Sequence, residues 1–261
     1  MGVLYRREDL RVLQKSVRSI LDQTCRDYEF LICDDGSSDE ARAYLEQCAA
    51  DDPRIRLVRP GGKYDLASKL NACLREAKGG YIARMDDDDR SLRDRLKKQI
   101  EALEKAPDIV FVGCNVSLSR DGVSRGIAVY PEYPTVRDFY MTQPFIHPAL
   151  VFRRECLEAV GGYSENRRQL LCEDYDLLLR LYGSGYRGMN LQEVLLEYTI
   201  PDTAKGNRKM RHRWNEAATR WARFRDLGLL PRAVPFVVKP LAVGILPEAV
   251  LRKIKDNRKT R

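Results

Sequence analysis

Short, uninterrupted apolar runs alternate with helix-period segments through the first 114 residues, and two of those runs stop on carboxylates. Phe30-Leu31-Ile32-Cys33 stops at Asp34-Asp35-Gly36, and Tyr81 to Met85 stops at Asp86-Asp87-Asp88-Asp89. A short continuous apolar run suits a strand covered on both faces, as in a parallel sheet. Ile109 to Cys114 reads the same way, and Ile55 to Val58 is a further strand candidate. Between them lie amphipathic helices. The first carries Leu10, Leu13, Val17, Ile20 and Leu21 on one face behind Asp9 as cap. In the second, Ser37 and Glu40 have capping-box spacing, with Ala41, Tyr44, Leu45 and Cys48 inward. A third has Leu66, Leu70, Cys73 and Leu74 and is closed by Gly79-Gly80, and a fourth opens at Ser91 and carries Leu92, Leu96, Ile100 and Leu103. Such alternation predicts an α/β fold: βαβ units with a mostly parallel central sheet flanked by helices. Ligands of these sheets bind beyond the carboxyl ends of the strands, where both acidic segments fall.

The remainder is less regular. Residues 115–148 are rich in Gly, Ser, Pro and Tyr. Ala149 to Phe152 predicts a strand, Gly161-Gly162-Tyr163 a turn, and Cys172 to Tyr182 a helix with Glu173 and Asp174 in its first turn. Val194 to Ile200 predicts another strand, and Asn207 to Leu227 a long basic helix. With 261 residues there is room for one sizeable core. The chain divides into a body, residues 1–204, and a helical tail, residues 205–261. The net charge of +8 hides this asymmetry: the tail carries 16 Lys/Arg against 4 Asp/Glu, the body 30 against 34. A basic tail of this kind points to an anionic surface or to a solvated helix. Its longest apolar stretch, Ala233 to Leu251, includes Lys239, Glu248 and three prolines, and is not read as a membrane span. Seven scattered cysteines without a Cys-x-x-Cys pair, and a charged start at Arg6-Arg7-Glu8-Asp9, predict reduced thiols in a cytoplasmic protein without a signal peptide.

Four adjacent carboxylates repel one another and need compensating charge, from a helix N-terminus near Ser91 or from a divalent cation. Carboxylate oxygens suit Mg²⁺ or Mn²⁺, which bridge a few protein oxygens to substrate phosphates. A solvated acidic turn is the alternative. Asp34-Asp35-Gly36 is either a tight turn before a helix or an acceptor for a base or ribose. An aspartyl-phosphatase reading fails because Cys33 occupies the nucleophile position.

Taken in order, Ser19-Ile20-Leu21-Asp22-Gln23-Thr24, Cys33-Asp34-Asp35-Gly36-Ser37-Ser38-Asp39, Tyr81 to Asp89, Gly161-Gly162-Tyr163 and Glu173-Asp174-Tyr175-Asp176-Leu177 resemble a family 2 glycosyltransferase of the A-type fold, over roughly residues 1–200. The resemblance implies an inverting transfer of a sugar from a nucleotide-sugar, expected to be a UDP-sugar, to a glycan or lipid-linked glycan, as in capsular or cell-surface polysaccharide synthesis. It implies that Asp35 holds the uracil or ribose, Asp86 lies near the ribose, Asp88 binds the metal on the diphosphate, and Asp174 is the general base. It points more loosely to Lys63 and Lys69 as donor contacts. Glu173, paired with Asp174, and His147, before Pro148, are acceptor-side candidates. Departures from the family pattern are the short first strand after Met1, Leu70 where many members have Arg, and no His after Tyr198. The proline-broken apolar tail suits a peripheral contact with the inner face of an anionic membrane, or else a homodimer contact; no nucleic-acid partner is expected. Two rival readings are a sugar nucleotidyltransferase, which needs a Gly-rich basic triphosphate loop not seen near Met1, and a catalytically weak nucleotide-binding scaffold.

Overall fold

The computed structural model describes residues 1–6, 9–59, 65–120, 122–166, 169–200 and 210–245. β1 (Gly2–Val3) is followed by α1 (Arg11–Leu21), whose first turn is held by Asp9 Oδ1 accepting the Arg11 N–H at 3.0 Å. β2 (Phe30–Asp34) leads to α2 (Asp39–Asp51), and β3 (Ile55–Val58) to α3 (Leu66–Glu76), capped by the Asp65 carboxylate on Ser68 N–H at 2.8 Å. Next come β4 (Tyr81–Ala83), β5 (Arg90–Ser91), α4 (Arg95–Lys105), β6 (Ile109–Arg120) and β7 (Val123–Ala128). Two 3-10 turns, Val136–Tyr140 and His147–Ala149, precede β8 (Val151–Arg153) and α5 (Arg154–Ala159). α6 (Glu173–Gly183), β9 (Arg187–Thr199), α7 (Met210–Asp226) and α8 (Val234–Ile245) complete the described chain.

Several boundaries differ from the sequence expectation: β9 begins at Arg187 and not at Val194, β4 ends at Ala83, β6 runs on to Arg120, and three helix ends shift. The α2 cap is Ser38, whose hydroxyl takes Ala41 N–H, because Ser37 is occupied elsewhere: its Oγ accepts Tyr5 N–H at 2.8 Å. α3 ends at Glu76, and Ala77 after it is extended, so Gly79-Gly80 lies beyond the helix end. Ser91 does not open a helix. Arg90 and Ser91 instead pair antiparallel with Glu197 and Leu196, and the helix begins at Arg95. The backbone N–H of Ser91 is taken by Ser19 Oγ at 3.0 Å, a tertiary contact that local spacing cannot reveal.

β1-β2-β3 form a parallel sheet, and β4-β8-β6-β9-β5 form a second, mixed sheet with β7 hairpinned onto β6. The longest pairing, β6 with β9, is parallel, while β8 enters antiparallel between β4 and β6. One apolar cluster around Leu13, Val17, Ile32, Leu45 and Val116 joins α1 and α2 to the first sheet. Another, around Phe111, Phe145, Leu157 and Leu178, packs α3, α5 and α6 against the second. Phe224 from α7 and Ala233 and Val237 from the following segment belong to that second cluster, and Tyr140 stacks on Phe236 at 4.7 Å. The described part of the tail, residues 210–245, is therefore packed onto the body through one face. All seven cysteines are free. Among the described residues, no helix is long and apolar enough to cross a membrane.

Candidate active site

Three chain segments meet at the carboxyl ends of β1, β2 and β4. The N–H of Asp35 reaches Val3 O at 3.3 Å, that of Ser38 reaches Tyr5 O at 2.9 Å, and that of Leu4 reaches Asp87 Oδ2 at 3.3 Å. Residues 3–5 thus stitch the Asp34-Asp35 turn to the acidic run. The run is fixed from two further sides. Ser16 Oγ in α1 donates to Asp86 O at 2.8 Å, while Thr199 at the end of β9 gives its N–H to Asp89 Oδ1 at 2.7 Å and its hydroxyl to Asp88 O. Asp86, Asp87 and Asp88 remain half-buried, and Asp89 is buried.

With the α4 N-terminus displaced to Arg95, the compensating charge comes from two arginines that the sequence reading did not single out. Arg84, buried beneath the run, forms an ion pair with Asp86 and donates to Met85 O. Arg95, with no exposed surface, donates to Pro148 O at 2.8 Å and Arg84 O at 3.1 Å. Their traces in the sequence are an Arg inside an apolar strand run and an Arg on the inward face of a helix. Compensation is incomplete. Burial, then the Asp86 carboxylate, pushes Asp87 up, and the same two causes push Asp89 up to about 8. Asp89 Oδ2 is buried with no hydrogen-bond partner. The donor set is all oxygen and short of positive charge, which fits a hard divalent cation shared with a diphosphate. Among the described residues no three His, Cys, Asp or Glu side chains form a metal cage of their own. Mg²⁺-type ions at phosphate sites need only one or two carboxylates, so the two observations agree.

Asp35 is buried and bound to Lys69 Nζ through Oδ1 at 3.0 Å, leaving Oδ2 without a partner. Lys69 is buried as well and also donates to Val3 O at 3.1 Å, so it holds Asp35 in place. Lys69→Met should lower unfolding stability by about 3–5 kcal/mol, the cost of stranding one charge of a buried pair. Urea unfolding monitored by circular dichroism reads that loss directly. Lys63 lies outside the described residues.

The Glu173-Asp174 pair sits in the first turn of α6, entered through Leu171 in the left-handed region at φ 66°. Asp174 is half-buried; its Oδ1 accepts Tyr175 N–H at 2.8 Å and its Oδ2 accepts Gln143 Nε2 at 3.1 Å. Glu173 is buried, and burial pushes its carboxyl up. Between the ordinary value of 4.5 and that raised value, the folded chain keeps a proton that the unfolded chain has released. Stability falls as pH rises through that window. Glu173→Gln should therefore raise the melting temperature at neutral pH and change little below pH 4.5, as thermal melts across a pH series would register.

Both acidic groups lie within electrostatic reach of Tyr163. It is buried, and Asp174, Asp86 and Glu173 all act on its hydroxyl electrostatically, as does Arg84. His147 is buried behind it, with Nε2 at 2.8 Å from the Tyr163 hydroxyl; burial, then Arg84, holds its imidazole well below 6.5. Tyr163 itself is clamped by Asn71, which bonds both its N–H and its carbonyl at 2.8 Å. Gly162 makes that contact feasible: its φ is 67°, and a Cβ there would stand 2.7 Å from Asn71 Oδ1.

A parallel β-α-β unit with carboxylates at its strand ends, joined to a mixed sheet that supplies a second acidic helix start, is the A-type glycosyltransferase architecture. A mannosyltransferase from Pyrobaculum calidifontis, solved with GDP-mannose and Mn²⁺, superposes with a TM-score of 0.63 at 20% identity, over 100% of this chain and 80% of that one. TarS of Staphylococcus aureus, solved as residues 1–349 with UDP-GlcNAc, gives 0.68 at 13% identity, over 91% and 72%. Residues 3–161 match glycosyl transferase family 2, and the chain belongs to that family of glycosyltransferases. EpsE of Bacillus subtilis, named as a glycosyltransferase, is 33% identical over 95% of this chain and 90% of its own length. The amylovoran biosynthesis glycosyltransferase AmsE of Erwinia amylovora is 30% identical over 74% and 73%.

Proposed function

We propose that this glycosyltransferase moves a sugar from a nucleotide-sugar, with a UDP-sugar as donor, to a hydroxyl of a glycan or lipid-linked glycan, with inversion at the anomeric carbon. The observation that carries the reading is that residues 3–5 tie Asp35, with one buried oxygen unspent, to the Asp86–Asp89 run, while Asp86 and Asp174 both act on the Tyr163 hydroxyl. Asp35 accepts a hydrogen bond from the uracil or ribose, and Asp86 lies beside the ribose. Asp88 would hold Mg²⁺ or Mn²⁺ where the donor diphosphate binds. When bound, the cation offsets negative charge on the departing diphosphate without a proton. The acceptor oxygen bonds to the anomeric carbon as the carbon–diphosphate bond breaks, its electron pair leaving with the nucleotide. Asp174 takes the hydroxyl proton. Two hydrogen bonds fix its carboxylate, so the base is oriented before the acceptor arrives. Lys69 positions Asp35, and Lys63 remains a candidate donor contact. Glu173 shapes the acceptor side by holding the α6 turn.

The donor reading takes support from solved structures of the same fold, which hold GDP-mannose with Mn²⁺ or UDP-GlcNAc. The acceptor reading takes support from relatives named for amylovoran and teichuronic acid synthesis. Release of nucleoside diphosphate from a panel of UDP- and GDP-sugars, with and without Mn²⁺, tests the proposal. Turnover confined to UDP-sugars and dependent on the cation is expected. Metal-independent nucleotide binding, with no turnover of any donor and acceptor pair, would instead favour a scaffold.

We further propose that the tail meets an anionic membrane. Trp214 and Trp221 stand one heptad apart on basic α7 and are 60% and 48% exposed, with Met210 one turn before Trp214. Exposed indoles among arginines suit the headgroup layer. Co-sedimentation with phosphatidylglycerol vesicles should fall several-fold in Trp214→Ser/Trp221→Ser; unchanged binding rules the contact out.

A further inference from the structure

A second polar site lies outside the proposed donor and acceptor machinery. A cleft of about 550 Å³ opens between α1 and the β5–α4 connector. Lys15, Arg18 and Arg26 come from one wall, Arg90 and Arg93 from the other, and Asp22 is its one acidic group. None of Asp35, Asp86, Asp88 or Asp174 lines it. Lys15, Arg18 and Asp22 share a face of α1 through three- and four-residue spacing, and Arg26 folds back to donate to Leu21 O at 3.1 Å. The opposite wall is tied to the chain after α1 by Thr24, which takes Arg93 O with its N–H at 2.9 Å and Asp94 Oδ1 with its hydroxyl at 2.8 Å.

Like charges gathered around one concavity repel, and elsewhere on this surface cations are commonly paired, as Arg54 with Asp52 and Arg56 with Glu29. Here only Arg90 has a carboxylate partner among the described residues: Glu197, at 3.5 Å. Among the described residues Lys15, Arg18, Arg26 and Arg93 have none. The lining holds no aromatic ring on which a nucleic-acid base could stack and no apolar side chain to enter a membrane. From Lys15 to Asp22 the helical wall rises about 10 Å, so the cations form a row. A row of cations facing a second pair matches oxyanions spaced along a chain better than one compact ion.

We propose that this cleft is a subsite for an anionic glycan, one bearing carboxylate or phosphodiester groups along its length. It lies next to the chemistry without belonging to it. α1 holds Asp86 O through Ser16 and, one turn on, Ser91 N–H through Ser19, so the wall of the cleft is also the brace of the acidic run. An acceptor or nascent chain held there stays with the enzyme whatever donor occupies the other site. The proposal stands independently of the donor, metal and base assignments.

The test is binding by the full chain, followed by calorimetry. The probes are a hexasaccharide of alternating glucuronic acid and N-acetylglucosamine, a short phosphodiester-linked sugar oligomer, a neutral chito-oligosaccharide, inorganic phosphate and single-stranded oligothymidylate. At least one of the two anionic oligosaccharides should bind, more weakly as salt rises, and the neutral one should not. Arg18→Glu/Arg93→Glu should weaken that binding about tenfold or more while leaving UDP binding unchanged. Both side chains are exposed; if the double variant fails to melt cooperatively, Lys15→Gln/Arg18→Gln is the second probe. The proposal is overturned if neither anionic oligosaccharide binds, if the variant binds as wild type does, or if UDP displaces the oligosaccharide. Phosphate binding as tightly as the oligosaccharides, or oligothymidylate binding more tightly, would overturn it too.

Discussion

Replacing Asp174 by Asn is expected to lower kcat by roughly 10²–10⁴-fold, the range that a positioned general base contributes, with little change in donor KM. Asparagine preserves size and can still accept the Tyr175 N–H, so the α6 turn should survive. What it removes is the ability to accept the acceptor hydroxyl's proton. The measurement is steady-state transfer beside hydrolysis of the donor by water, in wild type and variant. Transfer falling while UDP affinity, by calorimetry, stays constant is the expected pattern. A variant that retains transfer within a few-fold would remove Asp174 from the base role and leave its carboxylate only a place in the first turn of a helix.

Asp88→Ala should lower kcat/KM by about three orders of magnitude. A cation stabilising the leaving diphosphate is worth several kcal/mol, and about 4 kcal/mol corresponds to that factor. Asp88 is half-buried, and Thr199 bonds its carbonyl, a contact that the substitution leaves available. Folding stability is thus expected to hold. Removing one carboxylate from a crowded run also relieves repulsion on Asp89, whose carboxyl the Asp88 charge helps to raise. The expected signature is therefore lost Mn²⁺ stimulation together with an unchanged or raised melting temperature. Undiminished Mn²⁺ stimulation in the variant would move the metal assignment to another carboxylate.

Part of the scaffold is legible along the chain because contiguous apolar residues leave a local trace, as at Phe30 to Cys33, buried throughout. Phe30 to Cys33 and Ile55 to Val58 are strands as read, and Asp34 closes β2, but β4 stops at Ala83, short of the Met85 expected before the acidic run. The helix at Glu173 and the Gly161-Gly162 turn are likewise where their residues predict. Errors gather where a polar residue had two partners to choose from. Ser37 has capping spacing but is taken by Tyr5, and Ser91 has helix-start chemistry but is drawn into a strand by Glu197 and Leu196, more than one hundred positions away. Propensity is a weak prior at such positions, and a distant backbone decides them.

The amino-acid sequence by itself determined the alternation of strands and helices, the family, and the identity of the three acidic segments, since periodicity and contiguous motifs survive without coordinates. Only the tertiary structure decided what stabilises them. It put Arg84 and Arg95 under the acidic run where a helix N-terminus was expected, and it spent Lys69 on holding Asp35. It also set Lys15 and Arg18 opposite Arg90 and Arg93 across one cleft. The reason is electrostatic: the energy of a charge depends on its distance to other charges and to water, and those distances exist only once the chain has folded.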